Sequence, residues 1–392
     1  MTAVGRVRYP CALDRRLRVG ELEIMLPNGR SLRLSGRSPG PAALLRLNRW
    51  RALPRFLRGG TVAFGESYIE GDWDSPDLPK VIELAARNLP RKPMRYRNLS
   101  PWRIADRLGH RFRPNTRDGA KQNIAAHYDL GNDFYALWLD PSMTYSSAVF
   151  AGGNTDLQEA QAEKNRRLMD LAAIRDGDRV LEIGCGWGGF AMQAARERGA
   201  HVTAITVSRA QFDEAQKRVA AAGLGEKVDV ELRDYRDLDG TWDHAVSVEM
   251  IEAVGEKFWP EYFARVGSAV RPGGTFALQA IVIENERFDA YRRSADFIQK
   301  HIFPGGALLS PDVIRAQARA AGLTWKTANG HGIDYADTLA QWRARFEAAG
   351  DRVAAMGFDE RFRRCWSFYL AYCEGGFRAG NIDAVQVALV KG

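Results

Sequence analysis

Between Arg179 and Ile183 the chain is a short apolar run, Val180, Leu181 and Ile183 around Glu182, and it stops at Gly184, Gly186 and Gly188. A run of that length bounded by glycine predicts a buried strand ending in a turn. Residues 191–198 have helical composition and 201–207 read as a second strand. Further strands are expected over 228–232, 242–248 and 275–283, with helices over 209–222 and 259–270 between them. Pro272-Gly273-Gly274 predicts a tight turn feeding the last of these strands. Such alternation implies an α/β fold: a mostly parallel, Rossmann-like sheet with helices on both faces, whose ligands bind at the carboxyl ends of the strands.

Upstream the pattern changes. Residues 22–26 and 30–34 flank Asn28-Gly29 and predict a hairpin, 62–69 a further strand, and 78–87 a short helix. These make a small mixed N-terminal domain over residues 1–112. Residues 113–119 hold turn formers without apolar periodicity and are the expected linker. Residues 120–392 form the second domain, with an aromatic insertion at about 284–378. Segment 120–150 mixes polar groups with Leu130, Phe134, Tyr135 and Trp138, and should fold over the glycine turn.

Composition narrows the class. The 392 residues leave room for two or three domains, and 45% hydrophobic with 27% charged is ordinary for a globular protein. No apolar run reaches the ~18 residues of a membrane span, and the basic start lacks the apolar core of a signal peptide, so a cytoplasmic location is expected. Cys11, Cys185, Cys365 and Cys373 have no metal-ligand spacing and suggest no disulfide framework, so free thiols and no metal are expected. Of the 56 Lys+Arg, 24 fall within residues 1–118, against 11 of the 48 Asp+Glu. Arg46, Arg49, Arg51, Arg55 and Arg58 alternate with Leu, Trp and Phe, although Pro54 argues against one continuous helix, and a second arginine cluster spans 91–113. A basic face with aromatic and leucine side chains suits an anionic phospholipid surface, each cation contributing about 1 kcal/mol. Nucleic acid is the competing partner, and a solvated arginine face is the plainer reading.

The glycine turn, Thr206-Val-Ser-Arg-Ala-Gln211, Asp234-Tyr-Arg-Asp237 and the Pro272-Gly-Gly274 turn together resemble a class I S-adenosylmethionine-dependent methyltransferase. His127-Tyr-Asp-Leu-Gly-Asn-Asp-Phe-Tyr135, Asp140-Pro-Ser-Met-Thr-Tyr-Ser146 and Phe303-Pro-Gly-Gly306 are similar to the cyclopropane fatty acid synthase family. The resemblance implies S-adenosylmethionine as cofactor and an unsaturated phospholipid acyl chain as substrate, with no nucleic acid and peripheral attachment to the inner face of the membrane; a homodimer stays open. It places Tyr145, Ser146, Glu182, Gly184, Cys185, Gly186, Gly188, Thr206, Val207, Gln211, Asp234 and Tyr235 around the cofactor. Many methyltransferases have an acidic residue where Thr206 stands, and Gln211 is expected to compensate. A glycine turn also serves simply to close a helix onto a sheet, and each of the other residues is otherwise ordinary turn or core.

An alkene is a weak nucleophile, and its methylation leaves a carbocation that must survive until a base removes a proton. The pocket should therefore be dry and aromatic, with one anion placed to take that proton. The C-terminal third supplies Phe303, Trp325, Trp342, Trp366, Tyr369 and Tyr372 among others, although stripes at helical spacing are more often core. Members of the family generally hold a bicarbonate ion as base. Here the neighbours of that anion are replaced by Ser147, Ala253 and Gln279, while Glu252, Ile281 and Tyr335 remain. Glu249 stands where bicarbonate-using enzymes have a small residue, so a built-in carboxylate, rather than bicarbonate, is the expected base. Glu252 and Tyr335 would orient it. Glu249 could instead merely contact the cofactor or cap a helix. A proton taken from the transferred methyl closes a cyclopropane, and one taken from a chain carbon leaves a methyl or methylene branch. Cys373 occupies a family position treated as an active-site cysteine, yet no neighbouring base in the sequence would ionise it. His127, His301 and His331 read as acid–base groups or as structural histidines. Rival readings are methylation of another lipid or small molecule by the same fold, and a lipid-binding protein that has lost catalysis.

Overall fold

The computed structural model describes residues 17–89, 130–293 and 295–392, without the side chains of residues 57–59. The expected linker, the arginine cluster at 91–113, Cys11, the side chain of Arg58, and His127, Tyr128 and Asp129 lie outside the described residues.

The N-terminal unit is a four-stranded sheet of β1 (Val19–Met25), β2 (Ser31–Ser35), β3 (Ser38–Leu47) and β4 (Trp73–Asp74), ordered β2-β1-β3-β4. The expected hairpin joins β1 to β2, with Gly29 at φ 79° in its turn, and β3 runs parallel to β1. Two helices follow, α1 (Ala52–Ile69) and α2 (Leu78–Asn88). The strand expected over 62–69 is instead the second half of α1. Phe64 and Tyr68, four residues apart, both pack on Phe368, because one helical turn keeps them about 6 Å apart where a strand would spread them to about 13 Å. Pro54 is accommodated because it lies in the first turn, where its missing N–H has no helical partner to lose. The break in α1 falls later, at Gly60 with φ 59° and ψ −144°.

The larger unit has a seven-stranded sheet: β5 (Arg179–Ile183), β6 (His201–Thr206), β7 (Val228–Leu232), β8 (Trp242–Val248), β9 (Val270–Ile283), β10 (Leu323–Gly330) and β11 (Ile382–Lys391), ordered β10-β11-β9-β8-β5-β6-β7. Strands β5 to β9 pair in parallel, and β11 is antiparallel to both of its neighbours. The helices are α3 (Asn132–Ala136), α4 (Leu157–Ala172), α5 (Gly189–Arg198), α6 (Arg209–Ala221), α7 (Trp259–Ala269), α8 (Asn285–Tyr291), α9 (Phe297–His301), α10 (Pro311–Ala320), α11 (Gly332–Ala348), α12 (Gly350–Ala355) and α13 (Glu360–Arg378).

Two expectations need correction. Pro272-Gly273-Gly274 is not a free turn before a strand but a bulge inside β9, where pairing jumps from Trp242↔Val270 to His244↔Thr275. Segment 284–378 is not one insertion either, because β10 within it joins the sheet. The aromatic material forms two blocks, α8–α9 and α11–α13. The second is shared: α13 packs on α1 and α2, so Leu45, Trp73 and Val81 lie in the same buried cluster as Trp138, Trp366 and Phe368.

Candidate active site

β5 ends at Ile183, and Gly184, Gly186 and Gly188 follow with φ of 82°, 54° and 81°, a region that side chains enter only at a cost. The turn is fixed by the N–H groups of Gly184 and Cys185, both donating to Ile205 O at 3.0 Å. A Cβ on Gly184 would lie 2.5 Å from Met250, whereas one on Gly186 would meet nothing within 4 Å, so this side of the turn is open. Cys185 offers only its backbone there: its thiol is buried among the core residues beneath, and burial pushes it well above the usual range. Glu182 is also buried; desolvation raises its carboxyl to about 8, and Oε2 has no partner among the described residues. At the end of β6, Thr206 Oγ1 donates to Gln211 Oε1 at 3.0 Å, with Val207 alongside. After β7, Asp234 accepts from Arg236 N at 2.9 Å and pairs with its guanidinium at 3.1 Å, while the Tyr235 ring packs on Tyr262. These groups share the carboxyl edge of the sheet.

Glu249 follows β8 at φ 50°, one of three non-glycine residues with positive φ among those described, and such backbone strain concentrates at functional sites. Its Oε1 accepts from Ser147 N at 2.9 Å and Gln279 Nε2 at 2.8 Å, and its Oε2 from the Tyr335 hydroxyl at 2.7 Å. Gln279 is oriented in turn by Gln386, whose Nε2 donates to Gln279 Oε1 at 2.9 Å. Desolvation raises the Glu249 carboxyl, and the three donors oppose that rise by favouring the anion. Glu252, one short turn on, is different. Its Oε1 accepts from Ile281 N at 2.5 Å, its Oε2 has no partner among the described residues, and burial with the nearby charge of Glu249 pushes it to about 8. At neutral pH Glu252 keeps its proton while Glu249 is the better anion. Two carboxyls pushed apart in this way can divide acid and base roles.

Aromatic rings close the surroundings. Tyr145 shares a hydrogen bond of 2.7 Å with Tyr369 and packs 5.4 Å from Tyr135, Trp138 and Trp342. Phe303 reaches Tyr369. Trp325 does not belong to this group; on β10 it lies under the Arg315 guanidinium. Cys373 has its thiol pushed far up by burial and the charge of Asp296, which removes nucleophilic character. His301 pairs with Glu66 at 3.1 Å, and His331, buried, is lowered to about 4. Sequence reasoning missed Lys164, whose Nζ donates to Ser146 Oγ at 3.0 Å, as well as Gln161 and Gln386. A lysine in an otherwise amphipathic helix carries no signal that it faces inward.

A sequence model described as mycolic acid cyclopropane synthetase matches residues 115–387. Tuberculostearic acid methyltransferase UfaA1 of Mycobacterium tuberculosis is 43% identical over 374 residues, 91% of this chain and 85% of that protein. Cyclopropane-fatty-acyl-phospholipid synthase of Escherichia coli is 35% identical over 338 residues, 86% of this chain and 85% of that protein. Among solved structures, mycolic acid cyclopropane synthase CmaA1, complexed with SAH and CTAB, superposes with a TM-score of 0.65 at 30% identity, covering 69% of this chain and 98% of that one. The glycine turn fits such a cofactor: the space at Gly186 is open to a ligand, and the nearby buried Glu182 Oε2 has no hydrogen-bond partner among the described residues. Matched along most of its length, the chain belongs to the mycolic acid cyclopropane synthetase family and is an S-adenosylmethionine-dependent methyltransferase.

Proposed function

We propose that this enzyme methylates the double bond of an unsaturated acyl chain in membrane phospholipid, and that Glu249 is its base, so that the product is a methyl- or methylene-branched chain. The carrying observation is the Glu249 carboxylate, held by Ser147 N, Gln279 Nε2 and the Tyr335 hydroxyl. The cofactor supplies an electrophilic methyl. The alkene π pair forms the new C–C bond as the S–CH3 bond breaks toward sulfur, leaving the positive charge on the neighbouring chain carbon. The rings of Tyr145, Trp138 and Trp342 suit that cation and exclude water. Glu249 then accepts one proton and the C–H electron pair becomes a new double bond: within the chain if the proton leaves a chain carbon, or a methylene branch if a hydride shift first moves the charge to the methyl-bearing carbon and the proton then leaves the transferred methyl. The similarity to a relative named tuberculostearic acid methyltransferase supports the branched outcome. For the membrane surface we take the start of α1, where Trp50 and Leu53 are 50% and 37% exposed beside Arg49 and Arg51.

The test is gas chromatography with mass spectrometry of fatty acids from cells rich in monounsaturated phospholipid, expressing wild type or Glu249→Ala. A hydrogenation-sensitive branched product, lost or diverted to cyclopropane in Glu249→Ala, is expected. A hydrogenation-resistant gain of one CH2 in the wild type would sink the built-in base, and no new fatty acid would point to another acceptor.

A further inference from the structure

Lys164 lies in the middle of α4, yet it is 1% exposed. Its ammonium makes one hydrogen bond, to Ser146 Oγ, and its other two N–H groups find no acceptor among the described residues. An ammonium so placed is costly unless something compensates its charge. Desolvation draws its pKa down to about 8, and Glu249, Glu182 and Asp140 act on it only through space.

The one bond it makes has a direction. An ammonium has no lone pair, so Ser146 Oγ must accept, and the hydroxyl proton has to point elsewhere. No acceptor for that proton exists among the described residues. Both partners are fixed: Gln161 Nε2 donates to Ser146 O at 2.8 Å, and Gln386 Nε2 to Lys164 O at 3.1 Å. Within electrostatic reach of Lys164 is the buried Glu182, whose Oε2 has no donor among the described residues. Buried donors with a positive charge at one end and a carboxyl oxygen that has no donor at the other form a receptor for a zwitterion. The zwitterion in this chemistry is the amino-acid end of the cofactor.

We propose that Lys164 is a positioning residue for the cofactor: it compels the Ser146 hydroxyl to donate, and it supplies the positive charge facing the cofactor's α-carboxylate. This rests on the cofactor assignment above and assigns a role that the sequence motifs leave blank. Calorimetry of the full chain with S-adenosylhomocysteine and with 5′-methylthioadenosine, which lacks the amino-acid end, tests it. Lys164→Met should weaken S-adenosylhomocysteine about 10- to 100-fold, the scale of a hydrogen bond to a charged group, and change methylthioadenosine by less than about twofold. Ser146→Ala should show the same selectivity, and the double variant should lose less than the two single effects combined. Equal losses for both ligands, or no loss for S-adenosylhomocysteine, would overturn the proposal. If Lys164→Met does not fold, Ser146→Ala, which keeps the ammonium, carries the same contrast. A wild-type chain that binds neither ligand would instead overturn the cofactor assignment.

Discussion

Three donors and, among the described residues, no directly paired cation surround Glu249, so hydrogen bonds, helped by the Lys164 charge acting through space, make its anion tolerable inside the fold. Tyr335→Phe removes one donor that lowers the Glu249 pKa, so that pKa rises further. A base acts only when ionised, so the acid limb of the kcat–pH profile should move to higher pH, with the largest loss of rate at the acid end. An unmoved limb with a uniform loss would make Tyr335 a packing residue. Glu249 was legible in the sequence because a carboxylate in a strand-end motif departs from its family's pattern. Lys164 and Gln386 were not, because their roles depend on which way α4 and β11 face the sheet, a tertiary fact that no local spacing encodes.

Helices bring the same lesson to a larger scale. Alternating strand and helix signals over residues 179–283 were strong enough to read, whereas 62–69 combined β-branched and aromatic residues and looked like a strand until its partner α13 was known. The crossing of α2 and α13 is specified by one glycine. A Cβ on Gly375 would stand 2.6 Å from Ile82 Cβ and 2.8 Å from Glu83 N, whereas one on Gly376 meets only the Ile382 tip at 3.2 Å. Gly375→Ala should therefore cost about 1–3 kcal/mol by overpacking, while Gly376→Ala is close to neutral. Denaturant midpoints of the two variants check this, and equal midpoints would mean that α2 simply slides.

Over the whole molecule, buried acids make stability depend on pH. Glu182 and Glu252 titrate at about 8 in the fold against 4.5 unfolded, so the folded state retains protons that the unfolded chain has released. The stability they confer is complete below pH 4.5 and is lost as pH rises toward 8. His331, at about 4 against 6.5, has the opposite sign, but its effect is complete by pH 6.5. The apo-enzyme melting temperature should accordingly fall between pH 6.5 and 8, and Glu252→Gln should flatten that fall; a flat wild-type curve would refute it. No described helix is long and apolar enough to cross a membrane. Trp50→Ala should weaken sedimentation with phosphatidylglycerol vesicles about tenfold, the scale of withdrawing a large apolar side chain, and unchanged binding would move the contact elsewhere. Glu249 itself carries a consequence for turnover. A dissociable anion can depart with the proton it has taken and be replaced from solution, but a side chain is reused in place. If Glu249 is the base proposed above, the dry chamber that protects the cation must let one proton out after each reaction, and the step that resets the enzyme is deprotonation of Glu249 rather than exchange of an ion.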